Sequence, residues 1–162
     1  MKKTPALLMK ELKYLGEEVK RLYKEDEERS YAPLNENMEL KYKTGYSYEH
    51  NHEEIHKLHA EELRIKSALA KYNSVTVIDE INMTIAEALV KMAQLKEEIK
   101  VLSPLADKSE IFKLQNYRYD EETYKIVYNQ GKVIEDLRQL QRQLSKIQMA
   151  VDRINLTALV EY

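Results

Sequence analysis

His50, His52, His56 and His59 are all the histidines in the chain, and they lie within ten residues of one another. On a helix that begins near Asn51, His52, His56 and His59 share one stripe, and an i, i+4 pair of imidazoles is a geometry that can hold zinc or nickel. The stripe runs beside the apolar positions Ile55, Leu58 and Ile65 rather than among them. A solvated histidine cluster with no metal is therefore the plainer reading.

Tyrosine is the other residue type that stands out, with 12 copies against one Phe and no Trp. It suits places where one end of a side chain is buried and the other wet, as at protein interfaces. Tyr42, Tyr46, Tyr124 and Tyr128 occupy matching places in the two halves of the chain, with Lys43 and Lys125 after the first of each pair. These four are the candidate interaction residues. Their arms either cap their own bundle, pair with each other, or pair with an arm of a second copy. Stacking on RNA is disfavoured, because basic residues do not dominate around the rings.

Other chemistry finds little support. No nucleophile elbow, P-loop or glycine-rich phosphate turn is present, and three glycines do not build one. The carboxylate pairs Glu17-Glu18 and Glu97-Glu98 diverge on a helix and belong to solvated faces. Absence of cysteine removes disulfides, zinc thiolates and cysteine nucleophiles. The expectation is a protein that is not an enzyme, with no cofactor and no small-molecule substrate. A formal net charge of -2 offers no field for nucleic acid or an anionic membrane. Met1-Lys2-Lys3 is followed too soon by Lys10, Glu11 and Lys13 for an export signal, and no apolar run reaches the roughly 18 residues of a membrane span. A cytoplasmic location is expected.

The elements that position these residues are read from apolar spacing. Leu8, Leu12, Leu15, Val19 and Leu22 form one stripe of a helix from about Pro5 to about Glu28, with Thr4 as its cap. Residues 30–50 form a first arm, in which Tyr42, Thr44, Tyr46 and Tyr48 alternate as on one face of an extended strand. A second helix from about Asn51 to near Asn73 carries Ile55, Leu58, Ile65, Leu69 and Tyr72, with Glu62 in a place that expects an apolar residue. An extended connector, residues 74–78, follows. Thr84 and Glu87 form a capping box that opens a third helix with Ala88, Met92, Leu95, Ile99 and Leu102, ended or kinked by Pro104. A second arm, residues 105–130, contains Phe112, Tyr117, Tyr119, Tyr124 and Tyr128. The fourth helix, from about Gly131 to Asn155, has an unbroken apolar seam: Val133, Leu137, Leu140, Leu144, Ile147, Val151 and Ile154.

The halves are copies. An offset of 80 lays Thr4 on Thr84, Leu15 on Leu95, Lys20 on Lys100 and Leu22 on Leu102, and an offset of 82 lays Tyr46 on Tyr128, Leu58 on Leu140, Ile65 on Ile147 and Asn73 on Asn155. Across 51 compared positions there are 15 identities, where chance gives about 7%. Shared heptads align apolar positions but not caps, tyrosines and helix ends, so the pattern indicates gene duplication, with the two halves expected about a pseudo-twofold axis.

The run Asn82-Met83-Thr84-Ile85-Ala86-Glu87-Ala88-Leu89, with Tyr117-Arg118-Tyr119 and the ending Ile154-Asn155-Leu156-Thr157, resembles an uncharacterised bacterial helical family, some members of which are labelled septicolysin-like. The resemblance implies a helical protein of unknown role and supplies no site residue. The chain is thus expected to be mainly α, with four long heptad-patterned helices as two duplicated helical hairpins, in a bundle or coiled coil, and short tyrosine-rich β-like arms. Residues 1–162 form a single domain of two tandem repeats, about 4–78 and 84–160. The expected function is a non-enzymatic structural or protein–protein interaction role, through self-association or with another protein. The alternatives are a metal-binding protein using His52, His56 and His59, and a membrane-active protein, suggested only by the label.

Overall fold

The computed structural model describes residues 1–115 and 121–162, so Tyr117 and Tyr119 lie outside the described residues. It is mainly helical, with four long helices and short two-stranded pairings. The chain divides into two compact units, one of Met1–Val75 with Ile154–Tyr162, the other of Thr76–Arg153.

In the first unit, strand β1 (Lys2–Lys3) leads into helix α1 (Pro5–Arg29), and helix α2 (Tyr48–Val75) packs against it. Thr4 caps α1 by accepting from the backbone N–H of Leu7, and Pro5 takes the first helical position, where no N–H is needed. Leu8, Leu15, Ile65 and Val160 form a buried cluster, with Leu12, Leu58, Ala68, Leu69, Tyr72 and Tyr162 against it. Val160 comes from the last strand, β6 (Val160–Glu161), which pairs antiparallel with β1. The Arg64 guanidinium lies 4.8 Å from the centre of the Tyr162 ring. Glu62 stands half-buried in its seam with its carboxylate 2.6 Å from Lys66 Nζ, the partner that holds its pKa below the ordinary value.

The second unit contains strands β2 (Val77–Ile78) and β3 (Met83–Thr84), helix α3 (Ile85–Ala106), strands β4 (Ile111–Gln115) and β5 (Glu121–Lys125), and most of helix α4 (Gln130–Thr157). The turn between β2 and β3 places Asn82 at φ 50°, in the left-handed region that asparagine tolerates. The capping box forms as the spacing requires: Thr84 Oγ1 accepts from the Glu87 N–H, and the Glu87 carboxylate accepts from the Thr84 N–H at 2.8 Å. Pro104 lies inside the last turn of α3, and the helix continues to Ala106. Ile78, Ile85, Ala88, Met92, Leu95, Ile147, Ala150 and Val151 are buried.

Two expectations about the arms are corrected. Residues 30–47 contain no strand through Tyr42, Thr44 and Tyr46; they hold one isolated bridge, Leu34 to Leu40. Asn35 Oδ1 accepts from the N–H groups of both Asn37 and Glu39 and closes a tight loop with Met38 at φ 63°. Ser47 accepts from the His50 N–H and caps α2, so Tyr48 is already helical and cannot share a strand face with Tyr46. In the second arm β5 pairs with β4, placing Tyr124 opposite Phe112 within the same arm rather than opposite the first arm.

The seam of α4 is apolar throughout yet unevenly covered. Ile147 and Val151 are buried, whereas Val133, Leu137, Leu140 and Leu144 are half-buried.

Candidate functional site

Of the four candidate tyrosines, Tyr46 and Tyr128 have hydroxyls turned into their own units. The Tyr46 hydroxyl donates to Asp26 Oδ1 at 3.0 Å, near the end of α1, and the buried Asn51 amide donates to the same oxygen at 2.9 Å. Desolvation, followed by the Asp26 carboxylate, pushes the Tyr46 pKa up. The Tyr128 hydroxyl donates to the Leu105 carbonyl at 2.8 Å, near the end of α3, where Gln130 also donates to the carbonyls of Ala106 and Lys108. Both tyrosines thus donate near the end of the preceding helix, Tyr46 to a side-chain carboxylate and Tyr128 to a backbone carbonyl that the helix end leaves without an intrahelical partner.

Tyr42 and Tyr124 point elsewhere. Tyr42 is 59% exposed and borders a cleft of about 330 Å³ with Tyr31, Arg29 and Lys43. The Tyr124 ring stacks on Phe112 with centroids 5.8 Å apart, and its hydroxyl donates to Glu122, which raises its pKa. Phe112 in turn lies beneath Lys108 Nζ at 4.2 Å. The second arm thus carries a stacked aromatic pair flanked by charge.

All four histidines are exposed. His52 and His56 come together, Nε2 to Nε2 at 3.0 Å, and the Tyr48 ring stacks on His52. That contact needs one ring nitrogen protonated and the other bare. His59 does not join it, and among the described residues no group of three or more His, Cys, Asp or Glu side chains is placed to hold a metal ion.

The feature that the candidate residues missed is the far side of α3. Its buried seam is Ala88, Met92 and Leu95; directly opposite, at helical spacing, run Ala86, Val90, Ala93, Gln94, Glu97 and Val101. Val90 and Val101 are each 60% exposed. Beside this face α3 and α4 line an open groove of about 690 Å³ that includes Lys91, Glu98, Leu102 and Leu140. A second hollow continues it along α3 past Ala86 and Val90. The signal was available in the sequence, because α1 carries Lys10, Lys13 and Arg21 where α3 has Val90, Ala93 and Val101.

No family model and no curated protein matches the chain. Among solved structures it is similar to the crystal structure of a functionally unknown conserved protein from Corynebacterium diphtheriae, with a TM-score of 0.78 and 16% identity, covering 99% of this chain and 100% of that one. The likeness carries the fold alone. Helical architecture with small strands therefore extends across the length of both proteins, while the side chains that would define a role are free to differ at such low identity. Among the described residues no helix is long and apolar enough to cross a membrane.

Proposed function

We propose that this chain is a non-enzymatic interaction protein, built from two copies of one helical hairpin, that works by presenting helix faces and tyrosine-bearing arms to another polypeptide. The observation that carries the reading is the outer face of α3, where Val90, Ala93 and Val101 stand exposed opposite a buried seam. Exposed valines on the side away from the seam give this helix a second surface to cover. Support for duplication comes from matched chemistry: Thr4 and Thr84 cap α1 and α3, Ser47 and Asn129 accept from N–H groups in the first turns of α2 and α4, and Tyr46 and Tyr128 each serve the end of the preceding helix. Since α1 is cationic where α3 is apolar, the shared hairpin does not require that apolar face. Likeness to the septicolysin-like family belongs to the same proposal.

The test is a photo-crosslinking residue placed singly at Val90, Tyr42 and Tyr124, with Lys10 as the control, in cells that make the protein. Discrete species heavier than the 19.2 kDa chain from position 90 and not from position 10 are expected. Monomer alone from positions 90, 42 and 124 would end the reading.

The approach of His52 to His56 keeps metal binding as a second reading. It is checked by equilibrium dialysis of tag-free protein against nickel or zinc, with His56→Ala as the comparison. Equal metal uptake by both proteins removes it.

A further inference from the structure

We propose that the outer face of α3 is a self-association surface whose occupant is a second copy of this chain, lying antiparallel along α3 and into the open part of the α3–α4 groove. The proposal rests on the interaction reading above and names its partner.

Three observations point to a second copy. The first is spacing. Ala86, Val90, Ala93, Gln94, Glu97 and Val101 are symmetric about the midpoint between Ala93 and Gln94, so reversing the helix returns the stripe to itself. Ala86 then meets Val101 of the partner subunit, Val90 meets the partner's Glu97 and Ala93 the partner's Gln94, and the twofold gives each contact twice.

The second is charge. Lys91 and Glu98 lie on the same edge of the face, the first toward the N-terminal half of α3 and the second toward its C-terminal half, and both line the groove. In an antiparallel helix pair like edges meet, which sets Lys91 beside Glu98 of the partner subunit and gives the same ion pair twice. A parallel pair brings unlike edges together and separates Lys91 from the partner's Glu98, so neither ion pair forms. Neither Lys91 nor Glu98 has an ion pair or hydrogen-bonded partner for its side chain among the described residues, whereas on α1 Arg21 pairs with Glu18 and Glu25 and Lys24 with Glu28.

The third is the unfinished seam. Leu22 is buried, but its copy Leu102 is only half-buried and lines the groove, as the half-buried Leu140 does. An apolar stripe entering from a second copy removes this surface from water, and no such need exists at α1.

Light scattering on the full chain, over a range of concentrations, should give a mass approaching twice 19.2 kDa. Replacing Val90→Lys together with Val101→Arg installs the residue types that α1 carries at Lys10 and Arg21. The mass should fall twofold with far-ultraviolet helicity unchanged, because both positions are exposed. Lys91→Glu alone should weaken association at least about tenfold, and adding Glu98→Lys in the same chain should restore it. A wild-type monomer at every concentration, a dimer indifferent to the valine replacements, or a Lys91→Glu defect that Glu98→Lys fails to rescue would each overturn the proposal. If position 90 crosslinks in cells only to a different protein, the interaction reading stands and this one falls.

Discussion

At the scale of one residue, Tyr46 shows how a side chain with an interface-like composition becomes part of its own unit. Its ring is half-buried and its hydroxyl donates to Asp26, which also accepts from Asn51. Desolvation and then the Asp26 bond raise its pKa above the ordinary 10.0. The neutral phenol is the form the folded state prefers, so the stabilisation is fully present below the unfolded value and is lost as pH rises through the folded value. Tyr46→Phe should lower the denaturation midpoint at neutral pH and narrow its gap to wild type above pH 10.0. A gap that is constant across that range would show that the hydroxyl contributes nothing specific. Neither outcome could be anticipated from the tyrosine count, since Asp26 lies 20 residues away.

At the scale of the element, local chemistry sets where helices begin. Thr84 and Glu87 satisfy each other's backbone N–H groups at the start of α3, and the hydrogen bond from the Thr84 backbone leads the causes that hold the Glu87 pKa below 4.5. Thr84→Ala should cost about 1 kcal/mol in thermal or chemical denaturation. Because the Glu87 pKa is depressed, its contribution is present above the unfolded value and disappears as pH falls through the folded one. Glu87→Gln should therefore flatten the acid limb of stability below pH 4.5; an unchanged limb would reject the box as its source. Coverage of a helix is a different matter. Leu95 is 1% exposed and Leu144 is half-buried although both lie in clean seams. Leu95→Ala should cost about 3 kcal/mol or more and Leu144→Ala about 2 kcal/mol. Glu62→Ala should matter least, since Glu62 lies beside solvent with Lys66. Denaturation midpoints in the reverse order would mean that the groove beside α4 is closed in solution.

At the scale of the whole chain, the compact units do not coincide with the two halves. Strand β6, from the end of the second half, pairs with β1 and buries Val160 against Leu8, Leu15 and Ile65 in the first unit. Strand β2, from the end of the first half, pairs with β3 in the second unit and buries Ile78. The strand that ends the first half thus lies in the second unit, and the strand that ends the second half lies in the first. Val160→Ala should cost about 2 kcal/mol and accelerate amide exchange in α1 and α2 more than in α3. Equal acceleration in all three helices would contradict the division into units.

Helix positions and the Thr4 and Thr84 caps were legible in the sequence, because each depends on residues within a few positions of one another. Helix α2 starts at Tyr48, ahead of the expected Asn51, and α4 at Gln130, next to the expected Gly131; Ser47 and Asn129 carry the signal in their side chains. The first arm was misread because alternation at Tyr42, Thr44, Tyr46 and Tyr48 competes with a helix cap and a loop closed by Asn35, both local, and they prevailed. What only the tertiary structure decided is coverage: which seam residues lose their water, which tyrosine hydroxyls find acceptors, and which histidines meet. Periodicity says that Leu140 and Leu58 belong on an inward face; whether another surface arrives there depends on chain segments distant in sequence, and for α3 and α4 it leaves a groove.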